Sequence, residues 1–387
     1  MFYTAEFLIA VGGILLLGLA TDFLGRHTFL PRVTLLLLFG ILIGDQGLAL
    51  IPAFFLDRFE LITDMALLMI GFLLGGRLTR DSLSRNRAQL LFISITAALL
   101  TSLTVLAGLI LLGLPFPVAL LLGCIAAATA PAATVDTVLS SGSPKPFANL
   151  LLLIVAIDDI WALLLFSLSM AWITSINGGA DAASPLLQAG YEIGGALALG
   201  LALGLPASYL TGRLRPGQPL LTEALGLVLL CGGLAIWLEV SFLIASMAMG
   251  MLIANLASHH DYAFHEIENI EWPLMVIFFV LAGASLDIEL LQQLGAIGLT
   301  YVLCRTLGKI VGGWLGGSLS GAPAATRRWI GIAMLPQAGV PVGMALVAAN
   351  QFPEYRQLCL SIVIGTTVLF ELLGPVLTRL ALRKAAS

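Results

Sequence analysis

The sequence predicts an all-α polytopic membrane protein built from thirteen transmembrane helices. Of its 387 residues, 59% are hydrophobic and only 10% charged, against roughly 25% charged in an ordinary soluble domain. Mean hydropathy is +1.04. Thirteen apolar runs of bilayer-spanning length follow one another through short loops. Lys and Arg are concentrated in alternate loops, as a multi-pass topology requires.

The first run, near 5–24, has no basic stretch before it and no convincing cleavage site ahead of Asp22, so it reads as a spanning helix and not a removable signal. Runs near 31–51, 60–77 and 88–113 follow. The fifth, near 116–140, is interrupted by Ala126-Ala-Ala-Thr129-Ala-Pro131-Ala-Ala-Thr134, where proline removes a backbone hydrogen bond and clashes with the preceding turn. The sixth, near 147–174, carries Asp158 and Asp159 at its middle. Runs near 187–211, 219–238, 240–257, 272–291 and 294–319 come next. The twelfth, near 328–349, is interrupted by Pro336, Gly339 and Pro341, and the last lies near 357–380. Non-helical backbone at membrane depth survives only where protein or a water-lined cavity satisfies it. Two such helices in corresponding positions of the chain point to inverted repeats with a binding site between broken helices.

Fourteen of the eighteen Lys and Arg residues fall in loops on one side: Arg26, Arg32, Arg77, Arg80, Arg85, Arg87, Lys145, Arg213, Arg215, Arg327, Arg328, Arg379, Arg383 and Lys384. Only Arg58 and Arg356 lie on the other, and Arg305 and Lys309 lie inside a helix. The positive-inside rule then puts the C-terminus in the cytoplasm and the N-terminus outside. The whole chain, 1–387, reads as one transmembrane domain with no soluble regulatory domain. Its net charge of −4 offers nothing to nucleic acid. Cys124, Cys231, Cys304 and Cys359 are scattered through four runs and read as small core residues.

A charge at the bilayer midplane costs at least ~2.5–3.5 kcal/mol, so intramembrane carboxylates mark ion or proton paths. Asp158 and Asp159 each have at least eight nonpolar residues on either side. Successive helical side chains diverge by ~100°, so the two cannot share one environment and divide their roles. Burial and like charge favour a neutral carboxyl, while a nearby cation favours the ionised form; a group balanced between them exchanges a proton for a metal cation. Arg305 and Lys309 stand one turn apart on one face and need partners at that depth. Lys309 can release a proton and Arg305 cannot, which makes Lys309 the candidate proton carrier and Arg305 a fixed charge. Thr129, Thr134 and the carbonyls freed near Pro131 and Pro336 are candidate ligands for a hard cation, or back-bonding groups of their own helices. Asp136, Gln337 and Glu371 are further candidates, Asp136 equally readable as a cap and Glu371 as an isolated deep acid. Glu239 sits between two helices. The segment His259 to Glu268, with His260 and His265, reads as a solvated loop in preference to a metal site or pH sensor.

These residues resemble a known family, the second group of bacterial monovalent cation/proton antiporters, through essentially the whole chain. The markers are Ala126 to Thr134, Val155-Ala-Ile-Asp-Asp159, Ile277 to Asp287, Arg305-Thr-Leu-Gly-Lys309 and Leu335 to Gly343. The resemblance implies a thirteen-helix fold in which a core with two crossed, unwound helices, near 60–174 and 272–380, moves as an elevator against a homodimeric scaffold. It implies that Asp159 binds the monovalent cation or proton, and Asp158 in the preceding position favours electrogenic exchange. It places a basic partner in the Arg305 to Lys309 segment, with Lys309 favoured for Asp158. Related exchangers carry an Asp after the threonine of the first break, where this chain has Ala130, which leaves open whether Asp136 substitutes. The setting implied is the lipid of a bacterial inner membrane, with Na⁺ or K⁺ and H⁺ as substrates and no cofactor. A cytoplasmic regulator, if there is one, is a separate subunit. The rivals are a passive channel or organic-anion carrier on a similar fold, and an intramembrane aspartyl protease. The protease needs its two carboxylates on two helices, meeting across a water.

Overall fold

Among the described residues the apolar runs form helices in the computed structural model, because a backbone in lipid must satisfy its own hydrogen bonds. The structure describes residues 2–28, 30–44, 47–51, 59–141, 145–176, 184–211, 220–257, 260–284, 295–337, 339–352 and 355–386. Arg58, Arg213, Arg215, His259 and Asp287 lie outside them. Fifteen helices are formed among the described residues. They are α1 (Phe2–His27), α2 (Arg32–Ile43), α3 (Phe59–Arg77), α4 (Arg80–Leu111), α5 (Phe116–Ile125), α6 (Pro131–Ser141), α7 (Lys145–Ile176) and α8 (Ser184–Thr211). Then come α9 (Leu220–Trp237), α10 (Phe242–Leu256), α11 (His260–Ala284), α12 (Gly295–Leu319), α13 (Ala324–Ala333), α14 (Gly339–Gln351) and α15 (Arg356–Ala386). Among the described residues six, α1, α4, α7, α8, α11 and α15, are long and apolar enough to cross a membrane. The fifth and twelfth apolar runs are each two short helices, α5 with α6 and α13 with α14.

Two differences from the sequence reading have local causes. The polar segment after His259 is not a loop: it is the first three turns of α11. Ala263, Ile267 and Glu271, four residues apart, are all buried, so one stripe of this segment packs even though its composition is polar. His265 faces outward beside Glu268 at 3.8 Å, and no cluster of metal-ligating side chains occurs among the described residues. In the second run helix stops at Ile43, and the chain turns through Gly47 to reach Ile51. Elsewhere caps account for the boundaries: Thr79 accepts from the Ser82 N–H at 3.2 Å at the start of α4, and Ser241 caps α10 through the Ile244 N–H at 3.4 Å. Glu239 occupies the exposed turn before α10, with φ at +55°.

The chain divides into two compact units, and each half of the chain contributes to both. The first unit comprises Met1–Arg85 and Gly190–Leu286, the second Asn86–Ala189 and Asp287–Ser387.

In the first unit α3 packs on α10 and α2 on α11. Glycines make both approaches close: a Cβ at Gly75 or Gly250 would strike the facing backbone at Met247 or Phe72, and one at Gly40 or Gly283 would strike Val280 or Leu37. Arg32 lies over the Trp272 ring at 5.2 Å and pairs with Asp22 at 3.8 Å. In the second unit α12 is held between α4 and α13 by glycines on two faces. Gly308, Gly312 and Gly316 meet the α4 backbone from Phe92 to Thr101, while Gly313 meets Gly331 of α13. The hydroxyls of Thr104 and Thr96 reach across from α4 to the carbonyls of Cys304 and Gly312, at 3.0 and 2.8 Å.

This packing yields a prediction. Gly312→Leu would place its side chain against the Ala97 backbone, and overpacking of that kind costs about 1–3 kcal/mol. The thermal midpoint of the detergent-purified protein is expected to fall, while Gly226→Ala, facing open space on α9, leaves it unchanged. Equal midpoints for the two variants would show that α12 tolerates separation from α4.

Candidate functional site

The second unit gathers the polar groups that the sequence scatters over some 210 residues. Helix α5 ends at Ile125, and residues 126–130 are non-helical before Pro131 opens α6, where its missing N–H is no loss. Likewise α13 ends at Ala333, and residues 334–337 are non-helical before α14. The two breaks touch, the Ala130 N–H donating to the Pro336 carbonyl at 2.9 Å.

Arg305 and Lys309 of α12 reach into these breaks, and both are fully buried. Arg305 donates from Nε to the Ala126 carbonyl at 3.0 Å, from Nη2 to Ala128 at 2.9 Å, and from Nη1 to Leu335 at 2.7 Å. Its Nη2 also lies 3.5 Å from the Pro336 carbonyl, and its guanidinium sits 4.2 Å over the Phe370 ring of α15. Lys309 Nζ forms an ion pair with Asp158 Oδ2 at 2.7 Å, donates to Thr129 Oγ1 at 2.8 Å, and donates to the Ala127 carbonyl. Gly331 of α13 makes room for this arrangement, since a Cβ there would strike the Lys309 carbonyl.

The adjacent aspartates take different surroundings. Asp158 is fully buried and faces Lys309; the Thr129 hydroxyl also lies against its Oδ2. Asp159 is less enclosed than its neighbour. Oδ1 of Asp158, Oδ1 of Asp159 and Oε1 of Gln337 are buried with no hydrogen-bond partner among the described residues. Carboxylate oxygens in that condition are ready ligands for a cation, a proton or water.

Not every candidate joins this group. Thr134 donates to the carbonyl of Ala130 at 2.8 Å, back-bonding within its own segment. Asp136 is buried in α6 and accepts none of the Arg305 or Lys309 hydrogen bonds among the described residues. Gln337 donates to the Tyr301 hydroxyl at 3.3 Å. Glu371 lies on α15 between Phe370, under Arg305, and Gly374, against Pro336. The freed carbonyls of both breaks, expected as cation ligands, are engaged here by Arg305, Lys309 and the Ala130 N–H. Tyr301 was overlooked in the sequence, although its signal is there: Tyr301, Arg305 and Lys309 repeat every four residues on one buried face.

An all-helical membrane protein whose buried Asp–Lys pair is set between two broken helices is a secondary transporter in design. The family described as sodium/hydrogen exchanger, transmembrane, matches residues 11–384, and this chain belongs to it. It is a cation/proton antiporter in a lipid bilayer, not an enzyme, and exchangers of this family use no cofactor because the ions are substrates. It is similar to the ammonium/H⁺ antiporter subunit AmhT of Alkalihalophilus pseudofirmus, 22% identical over 350 residues covering 90% of this chain and 88% of that one. Its fold matches the sodium proton antiporter MjNhaP1 of Methanocaldococcus jannaschii with a TM-score of 0.73, at 22% identity, over 100% of both chains. An electron-microscopy structure of the same antiporter matches with a TM-score of 0.73 over 97% of this chain and 94% of that one, at 21% identity.

Proposed function

We propose that the chain exchanges one monovalent cation for protons at Asp158 and Asp159, with Lys309 as an internal competitor for the cation. The observation that carries this reading is the seat of Lys309 Nζ, an ammonium group held by Asp158 Oδ2, Thr129 Oγ1 and the Ala127 carbonyl. An arriving cation takes Asp159, whose carboxyl gives up its proton, and competes with Lys309 for Asp158. A Lys309 displaced from Asp158 loses the partner that favours its charge and releases a second proton. Two protons against one monovalent cation make the exchange electrogenic. Protonation of Asp159 and Lys309, which lets the lysine pair with Asp158 again, reverses each step and expels the cation.

Alternating access follows if the second unit, which holds the entire site, is the moving core of an elevator and the first is the scaffold of a homodimer. In this reading thirteen spans, with the fifth and twelfth unwound and crossing, leave the N-terminus outside and the C-terminus in the cytoplasm of a bacterial inner membrane. The distribution of Lys and Arg supports that orientation.

Na⁺ is the first candidate substrate on the family's description, and K⁺ fits the same oxygen set. Ammonium is a third, supported by the name of the relative AmhT and by the site itself, which already accommodates an ammonium group. Proteoliposomes holding a pH indicator, challenged with Na⁺, K⁺, Li⁺ and NH₄⁺ under imposed membrane potentials, test the proposal. Cation-dependent proton efflux that responds to potential is expected for at least one of the four. Cation flux without coupled protons would instead favour the passive channel, and coupling to organic anions the anion carrier.

A further inference from the structure

We propose that Arg305 is a positioning residue for the cation site, a guanidinium fork that holds the two broken helices in register and so sets cation affinity. The inference rests on the site proposed above and concerns a residue that touches neither cation nor proton.

Both breaks begin at a helix C-terminus, α5 at Ile125 and α13 at Ala333. Helix C-termini carry partial negative charge and carbonyls without intrahelical partners. Arg305 answers both ends at once, binding Ala126 and Ala128 beyond α5 and Leu335 and Pro336 beyond α13. Its planar shape and five N–H donors suit this task. A lysine has three donors on one point and cannot span two carbonyl pairs from the same stem. Phe370 closes the remaining face of the guanidinium, so the fork is confined in its own plane.

The consequence for transport comes from what lies between the bound carbonyls. Ala127, flanked by Ala126 and Ala128, offers its carbonyl to Lys309, and Thr129, just beyond Ala128, joins Lys309 to Asp158 through its hydroxyl. Fixing residues 126 and 128 therefore fixes the position of the Lys309 seat. The same fork keeps four break carbonyls occupied, which leaves Asp158 Oδ1 and Asp159 Oδ1 as the oxygens open to an incoming ion. Arg305 determines both where the site stands and which oxygens compose it.

The test is transport kinetics of Arg305→Lys and Arg305→Ala in proteoliposomes, using whichever of Na⁺, K⁺ or NH₄⁺ the wild type exchanges, normalised to folded protein. Both variants are expected to raise the apparent KM for the cation on the order of ten-fold, because the lysine restores charge but not the fork. A merely structural role would lower the yield of folded protein and leave KM unchanged. Wild-type KM in Arg305→Lys, or an unchanged or lowered KM in Arg305→Ala, overturns the proposal. Should neither variant accumulate, Phe370→Leu decides: it removes the ring beneath the guanidinium and is expected to raise KM by a smaller factor, and an unchanged KM counts against the fork. Asp159→Asn run alongside separates the two readings, since intact exchange in that variant would overturn the cation site itself. Lost exchange there together with wild-type kinetics in Arg305→Lys would overturn only the role given to Arg305.

Discussion

Asp159→Asn is expected to abolish cation-dependent proton flux, down to the level of liposomes without protein. The substitution keeps shape and hydrogen-bonding capacity close to the original and removes only the ability to exchange a proton for a cation. Asparagine matches aspartate in size and shape, so the local fold has no reason to change. The buried Oδ1 that is left without a partner becomes an amide atom, which coordinates a cation weakly and releases no proton. Asp158 alone does not replace it, because a cation reaching Asp158 must displace Lys309 without the second carboxylate to hold it. Asp159→Glu, longer by one methylene, is expected to retain exchange with altered cation affinity. Purified Asp159→Asn with a wild-type melting profile and no flux would confine the defect to transport; undiminished flux would remove Asp159 from the site.

What the sequence discloses here and what it withholds have one physical origin. Asp158, Asp159, Arg305 and Lys309 are conspicuous because each would be prohibitive in lipid without a partner, and the breaks are conspicuous because proline and glycine interrupt long apolar runs. Those are local signals. The partners themselves are remote: Arg305 bonds carbonyls at Ala126 and Leu335, the first of them 179 positions away. No periodicity encodes which carbonyl a guanidinium will take, so the engagement of the break carbonyls by Arg305 is visible only in the fold. The close approach of α12 to α4 and α13 is similarly hidden, since a glycine in sequence gives no sign of which backbone it faces. The helical start of α11 is hidden for the opposite reason. Its composition is polar, and only the spacing of Ala263, Ile267 and Glu271 shows the stripe that packs.

Lys309→Met is expected to destabilise the protein, and adding Asp158→Asn is expected to restore much of the loss. The pair is completely buried, with Nζ and Oδ2 2.7 Å apart. Removing one member of such a pair strands the other, at a cost of about 3–5 kcal/mol, whereas replacing both with neutral groups is often near neutral. Lys309→Met leaves Asp158 with the Thr129 hydroxyl alone among the described residues. Asp158→Asn alone is expected to be milder, because Lys309 keeps the Ala127 carbonyl and Thr129 Oγ1 and can shed its proton. Thermal unfolding of the two single variants and the double variant in one detergent gives the coupling directly. A double variant no more stable than Lys309→Met would mean that the lysine contributes packing and not charge pairing. The same proteins address stoichiometry. With Asp159 intact and the neighbouring pair neutral, one proton can still leave for each cation that enters, so the double variant and Asp158→Asn should exchange without response to membrane potential. If Asp158→Asn still responds to potential as the wild type does, the second proton travels on some other group, and the division of labour between the two adjacent aspartates must be redrawn.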